Sequence, residues 1–274
     1  MSGIKVLDGK DGWLFLQNDT NRVVEQNSSA LQLTESEIKK WLRTLEARVA
    51  MLKNRGIKYY FLIAPNKESI YPEYLPDDYK INDDRVVYQL INACKPYHLP
   101  VYYPVDILKL YKSEYQLYPT GDTHWNGIGG FIAYKYVMNI IKKDFNINIL
   151  DWEEIEIVEK EALLDLGNKL TPPQTSLFSW GMVKQPRAQI IYDNKGINSG
   201  HMRVTLNKNT SLPTAAIFHD SFIEIIIPFL MESFSKVYLL RTPCVDYDLI
   251  EEINPDVVIS ELVERFLIQP PVDF

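Results

Sequence analysis

The chain has 274 residues, 46% of them hydrophobic, and 29 Lys and Arg against 36 Asp and Glu give a formal net charge of −7. That length can bury one large core or two modest ones. The acidic balance and the lack of a Lys/Arg-rich tract argue against a nucleic-acid partner, while an uncharged sugar surface or a neutral or cationic small substrate is compatible. Cys94 and Cys244 form no zinc-binding or disulfide-scaffold pattern. Met1 to Lys5 carry no signal peptide, and the longest apolar run, near Ile223 to Met231, contains Glu224, so no membrane segment is expected. Such a chain works in the periplasm or cell envelope if an export signal was removed, and in the cytoplasm if it is complete.

In chain order, the Gly9-Lys10-Asp11-Gly12 turn runs into a short apolar strand, Trp13 to Leu16. Thr34 and Glu37 make a capping box, and Ile38, Trp41, Leu42, Leu45, Val49 and Leu52 follow at helical spacing to a terminal Gly56. Ile57 to Ala64, closed by Pro65, reads as a buried strand of a parallel sheet. The pattern then predicts a helix over 84–94, a short strand over 101–103, a helix from Pro104 to Leu110, and a long helix over Gly127 to Ile141. Gly127, Gly129 and Gly130 lie in the first turn of that helix, where each costs about 1 kcal/mol relative to Ala. Close backbone packing near a site would justify them; a frayed start is the alternative.

Residues 150–200 change character, with polar alternation and Pro172-Pro173. They read as a small β-rich insertion of short antiparallel strands beside the main sheet. Strands over 214–218, 237–240 and 257–259 and a helix over 222–231 then return. Alternating buried strands and helices predict an α/β fold: a three-layer α/β/α sandwich with a mostly parallel central sheet, in one domain over 1–274. In such folds ligands bind at the carboxyl ends of the strands.

Two segments carry chemistry. Phe218-His219-Asp220-Ser221-Phe222 puts a serine at a strand-to-helix turn, a context that exposes a nucleophilic oxygen near a helix N-terminus. Ser221 and Glu224 equally fit an ordinary capping box, and Asp220 could cap the same helix, which would leave Ser221 free. Far upstream, Asp122-Thr123-His124-Trp125 offers a base and its orienter two residues apart. Serine needs such a base within about 2.6–3.2 Å, itself oriented by a third group. A helix cap by Asp122 or Thr123, with His124 at the surface, is the plain alternative. A metal site is the chemical rival, built from Asp122, His124, His219 and Asp220, but no H-E-x-x-H or comparable signature is present, so no metal or cofactor is expected.

Several other residues can be placed around a substrate. Lys67, at the end of a proposed core strand, could hold an anionic group or bond a sugar. Tyr71 and Tyr74 could form a rim. Trp125 and Trp180 could stack on a sugar face, whereas Trp13 and Trp41 look like core. Asn198, in the Gly196-to-Gly200 loop, could complete an oxyanion hole, and His219 could line the pocket or carry a second proton. Glu264-Arg265 reads as a structural ion pair or cap.

Taken together, Asp11-Gly12-Trp13-Leu14-Phe15, Ala64-Pro65-Asn66-Lys67, Ile70-Tyr71-Pro72-Glu73, Gly121-Asp122-Thr123-His124-Trp125-Asn126, His219-Asp220-Ser221-Phe222 and Val263-Glu264-Arg265-Phe266 resemble the SGNH-hydrolase-like domain of the alginate O-acetylation proteins, the AlgX and AlgJ group. The resemblance spans nearly the whole chain, and the D-T-H-W segment is its most specific part. It implies a serine triad of Asp122, His124 and Ser221, with the Asp–His pair preceding the Ser. It also implies movement or removal of acetyl groups on polysaccharide hydroxyls, on the outer side of the bacterial inner membrane. His219 stands where the family usually has glycine. The expected function is a serine-dependent O-acetyltransferase on a bacterial polysaccharide or glycan, with a membrane acetyl-delivery protein as partner. A carbohydrate O-acetyl esterase with the same residues and a non-catalytic glycan-binding or scaffold subunit are the alternatives.

Overall fold

Short segments with alternating apolar side chains form the centre of the molecule, and amphipathic helices cover it on both sides. The computed structural model describes residues 6–17 and 21–274. β1 (Val6–Asp8) and β2 (Leu14–Leu16) pair around the glycine turn. After α1 (Val23–Asn27), α2 (Glu35–Lys53) opens on the expected capping box: the Thr34 hydroxyl accepts from the Glu37 N–H, and the Glu37 carboxylate accepts from the Thr34 N–H. Gly56 takes the left-handed conformation (φ 75°) beyond the end of α2. β3 (Lys58–Ala64), α3 (Lys67–Ile70), α4 (Val86–Cys94), β4 (Val101–Tyr102), α5 (Val105–Tyr111) and α6 (Gly127–Ile141) follow. The second half contains β5 (Ile155–Leu163), β6 (Thr175–Val183), β7 (Ala188–Asp193), β8 (Met202–Asn207), β9 (Thr214–Phe218), α7 (Ile223–Ser233), β10 (Lys236–Leu240), α8 (Tyr247–Ile253) and β11 (Val257–Val263).

The main sheet has seven strands in the order β4-β3-β11-β9-β10-β8-β7. The first five are parallel, β8 is antiparallel to β10, and β7 is antiparallel to β8. The α/β architecture with a mostly parallel sheet thus matches the expectation from sequence. The region over 150–200 differs in one respect. β5 and β6 form a separate antiparallel hairpin, as an insertion should, whereas β7 belongs to the sheet itself and joins it through β8. Three further helices, α1, α3 and α8, were not expected. α8 starts where the Asp246 carboxylate accepts the Leu249 N–H.

Period-2 side-chain alternation divides the strands between two cores. Tyr60 and Ala64 of β3, Ala215 and Ile217 of β9, and Val257, Ile259 and Val263 of β11 face α6 and α7. Tyr59, Phe61 and Ile63, with Ala216, Phe218, Val258 and Leu262, face the α2, α4 and α8 side. This produces the three layers. Cys94 and Cys244 are both free thiols. Among the described residues no helix is long and apolar enough to cross a membrane.

Two features fix the strand ends. Glu264, just past β11, is buried and accepts from Arg85 Nε (2.8 Å), the Ser69 hydroxyl (2.6 Å), the Tyr103 hydroxyl (2.8 Å) and the Asn66 N–H (3.1 Å). Arg85 pairs with it, while the guanidinium of the adjacent Arg265 donates to Asn66 Oδ1. α6 is an ordered helix from its first residue, because the Asn126 side chain accepts from the Ile128 and Gly129 N–H groups. A Cβ on Gly127 would run into the Gly181 backbone nitrogen and lie 2.7 Å from the Ser179 carbonyl of β6. The glycine is there for close approach, not fraying.

Gly127→Ala should therefore destabilise the fold by about 1–3 kcal/mol despite alanine's better helix propensity, read as a lower urea midpoint. Arg85→Met leaves a buried carboxylate without its counter-charge and should cost about 3–5 kcal/mol in the same measurement.

Candidate functional site

β3, β11 and β9 run parallel, so their carboxyl ends meet at one edge of the sheet. β9 ends at Phe218, and the chain turns through His219 and Asp220 before α7. Asp220 holds this turn. Its Oδ1 accepts the Phe222 N–H (2.8 Å) and its Oδ2 accepts the Val263 N–H (2.7 Å), tying the turn to the end of β11. The N-cap residue of α7 is Phe222, whose side chain makes no cap hydrogen bond. The Ser221 hydroxyl is thus not spent as a cap, and it faces the loop before α6.

That loop presents His124. Its Nε2 lies 2.8 Å from Ser221 Oγ, and its Nδ1 lies 2.7 Å from Asp122 Oδ1. Asp122 Oδ1 also accepts the His124 N–H at 2.8 Å, which closes the two-residue turn. An ionised Asp122 accepts the Nδ1 proton, so Nε2 carries the lone pair and receives the Ser221 hydroxyl proton. Burial pushes the Asp122 carboxyl up. The hydrogen bonds and charge of His124, with the Asp165 N–H, outweigh that and hold it below the usual carboxylate range. The His124 ring packs on Phe222, with centroids 4.8 Å apart. An alcohol hydrogen-bonded to an imidazole whose other nitrogen meets a carboxylate is the arrangement that activates a hydroxyl for attack.

Asp165, in the turn after β5, is part of this site and drew no attention in the sequence. Its Oδ1 and Oδ2 accept from the Thr123 N–H (2.9 Å) and hydroxyl (2.6 Å), and its N–H reaches Asp122 Oδ2 at 3.4 Å. Oδ2 lies 3.9 Å from His124 Nδ1. An isolated Asp 43 positions from Asp122 carries no local signal; only the three-dimensional turn brings it in. Asp122, His124 and Asp165 are the described group compact enough for a metal ion, with ligand atoms within 4.8 Å of one another. Those atoms are already engaged with His124, Thr123 and each other. His219 and Asp220, the other members of the metal alternative, point elsewhere.

The remaining expectations fare differently. Lys67 is buried, and its ammonium donates to the Pro119 and Thr120 carbonyls (3.0 and 2.9 Å) rather than facing a ligand. Tyr71 is buried, and its hydroxyl accepts the Leu117 N–H (2.9 Å), so it braces the loop instead of forming a rim. Trp125 is fully buried and its indole N–H donates to the Phe222 carbonyl (3.0 Å), which rules out stacking on a sugar. His219 is 1% exposed and its Nδ1–H donates to the Asp220 carbonyl (2.6 Å), so it does not line an open pocket. Burial lowers the pKa of its ring. Asn198 sits exposed in the β7–β8 turn (φ 64°), where its carbonyl accepts the His201 N–H. Trp180 is half exposed on β6. Asn126, not Asp122 or Thr123, caps α6.

The family model for the SGNH hydrolase-like domain of the acetyltransferase AlgX matches residues 6–168. No curated protein matches the chain. Among solved structures, the chain is similar to PatB1 of Bacillus cereus, at 17% identity over 98% of both chains with a TM-score of 0.71. A DHHW family protein from Eubacterium siraeum has 14% identity over 96% of this chain and 95% of that one, with a TM-score of 0.65. The O-acetyltransferase domain of Pseudomonas putida AlgJ has 17% identity over 99% and 94%, with a TM-score of 0.58. These likenesses establish the fold, and the family match takes in more than half of the sequence, including Asp122 and His124; the chain belongs to the SGNH hydrolase-like domain family of the acetyltransferase AlgX.

Proposed function

We propose that this chain is a serine-dependent O-acetyltransferase acting on hydroxyl groups of a bacterial polysaccharide or glycan, with Ser221, His124 and Asp122 as its catalytic triad. The observation that carries the reading is the continuous hydrogen-bonded path from Ser221 Oγ through both nitrogens of His124 to Asp122, in a chain of this family. His124 Nε2 takes the Ser221 proton as Oγ attacks the acetyl carbonyl. The oxyanion forms at the start of α7, where backbone N–H groups and the helix dipole favour negative charge. Collapse of the tetrahedral adduct leaves an acetyl ester on Ser221, and the leaving group departs with the proton from His124. A sugar hydroxyl then gives its proton to His124, attacks the ester, and frees Ser221 as the proton returns to Oγ. In this reading the acetyl group is supplied by a membrane acetyl-delivery protein, and the whole of 1–274 acts as one catalytic domain. A structure of B. cereus PatB1 with a sulfonyl adduct makes a sulfonyl reagent a suitable probe.

Peptide mass analysis after a sulfonyl fluoride should find the adduct on Ser221 in the wild type and none in folded His124→Ala; an unmodified Ser221 in the wild type would overturn the reading. Ser221→Ala should lower turnover of an acetylated aryl ester by about 10⁴-fold or more. Adding a glycan acceptor should divert acetyl groups from free acetate to the sugar. Release of acetate unaffected by any acceptor would instead mark an esterase.

A further inference from the structure

Lysine is rarely found fully buried without a partner carboxylate, yet Lys67 is 2% exposed and has no ion pair among the described residues. It opens α3 at the carboxyl end of β3. Besides the carbonyls of Pro119 and Thr120, its ammonium stands 5.5 Å and 5.2 Å from the ring centroids of Trp13 and Phe15. β2 supplies one of those rings, so the cation is walled by apolar groups on that side. The charged groups acting on it are Glu68 of its own helix, and Asp122 and Asp165 from the two facing loops. His124 shares the loop of Asp122, and Glu264 and Arg265 at the end of β11 act on Glu68 in turn.

The loop that Lys67 grips is the one leading into Asp122 and His124. The same loop is held from its other side, since the Gly121 carbonyl accepts from the Leu166 and Gly167 N–H groups (3.1 and 3.2 Å). Asp122 and Asp165 both face His124 Nδ1, at 2.7 and 3.9 Å. Two carboxylates this close disfavour each other's charge. A buried ammonium offsets that repulsion where water cannot screen it.

We propose that Lys67 is a positioning residue of the acyl-transfer site: clamped on the Pro119 and Thr120 carbonyls, its buried ammonium fixes the loop that carries Asp122 and His124 and favours the charged form of Asp122. The proposal rests on the function proposed above. Burial drives the Lys67 ammonium down to about 8, against the opposing pull of Glu68, Asp122 and Asp165. The charge is therefore present at neutral pH and is lost as the pH rises through about 8. The site should loosen on the alkaline side for a reason that involves neither Ser221 nor His124.

Two measurements test this. In the full chain with ¹³C-labelled lysine, the Lys67 Cε resonance should titrate near 8, and Asp122→Asn, which removes one of the charges that raise it, should shift the midpoint down by roughly half a unit or more. An unchanged midpoint would overturn the proposal whatever the enzyme's activity. Lys67→Met should lower aryl-acetate turnover by about 100-fold at pH 7 through misplacement of the base. It should also move the acid limb of the pH profile to higher pH and abolish the fall above pH 8, while Lys67→Arg restores part of the rate and the acid limb. A folded Lys67→Met with the wild-type rate and pH profile would sink the idea. Should Lys67→Met fail to fold, the Asp122→Asn titration decides alone. Ser221→Ala separates the two claims: wild-type turnover in that variant removes the triad reading, and the lysine titration still reports on the charge coupling.

Discussion

Everything at this site depends on how closely α6 and α7 can approach. Ser221 precedes one of these helices and His124 the other, 97 residues apart in sequence, and a 2.8 Å hydrogen bond joins them. Such a contact tolerates little error in helix packing. The chain secures it with glycine where side chains would hold the helices apart. A Cβ on Gly130 would fall 2.7 Å from Cγ2 of Ile226. Further along, Phe131 meets Phe229 edge to face at 5.0 Å. The Trp125 indole, donating to the Phe222 carbonyl, crosses between the two chain segments beside the reacting groups. A residue that looks suited to hold a sugar is instead the pin between the halves of the site.

The strand ends carry a second constraint, which is electrostatic. Lys67, Glu68, Arg85, Glu261, Glu264 and Arg265 are all buried or nearly so at the carboxyl ends of β3 and β11 or close to them. Burial holds Glu68 and Glu261 above the usual carboxylate range, most strongly for Glu261. Glu264, by contrast, is surrounded by donors and faces the Arg85 guanidinium. Charges in so poorly screened a place must be matched by fixed partners, and fixed partners make a rigid platform. The Asp220 turn rests on it through the Val263 N–H.

Much of this was legible in the residues. Thr34 and Glu37 announced α2 and Pro65 closed β3, while the glycines of α6 fitted either close packing or a frayed start. The Asp122–His124 spacing and the serine after β9 stood out because few side-chain combinations can activate an alcohol. Burial was not legible. Lys67, Tyr71 and Trp125 have polar atoms that suit a ligand equally well; only the fold shows that backbone groups of the 115–121 segment occupy the first two and the Phe222 carbonyl the third. Asp165 lacked any pattern because its role is set by a turn that folds back from the hairpin. β7 was read as part of an appendage for a related reason, and β8 was not anticipated: alternation reveals that a strand exists, while its neighbours are chosen by the whole sheet.

The sheet order has a consequence for how the protein comes into being. β11 and β9 occupy the middle of the sheet, flanked by β3 on one side and β10 on the other, and they come from the last 61 residues of the chain. During synthesis β3 and β4 emerge first, and β3 keeps an edge of unpaired backbone N–H and C=O groups until β11 is made. Neither core is complete before β11 joins, because Val257, Ile259 and Val263 line one and Val258 and Leu262 the other. A chain without β11 therefore lacks the strand that joins β3 to β9, and its sheet falls into two unconnected parts.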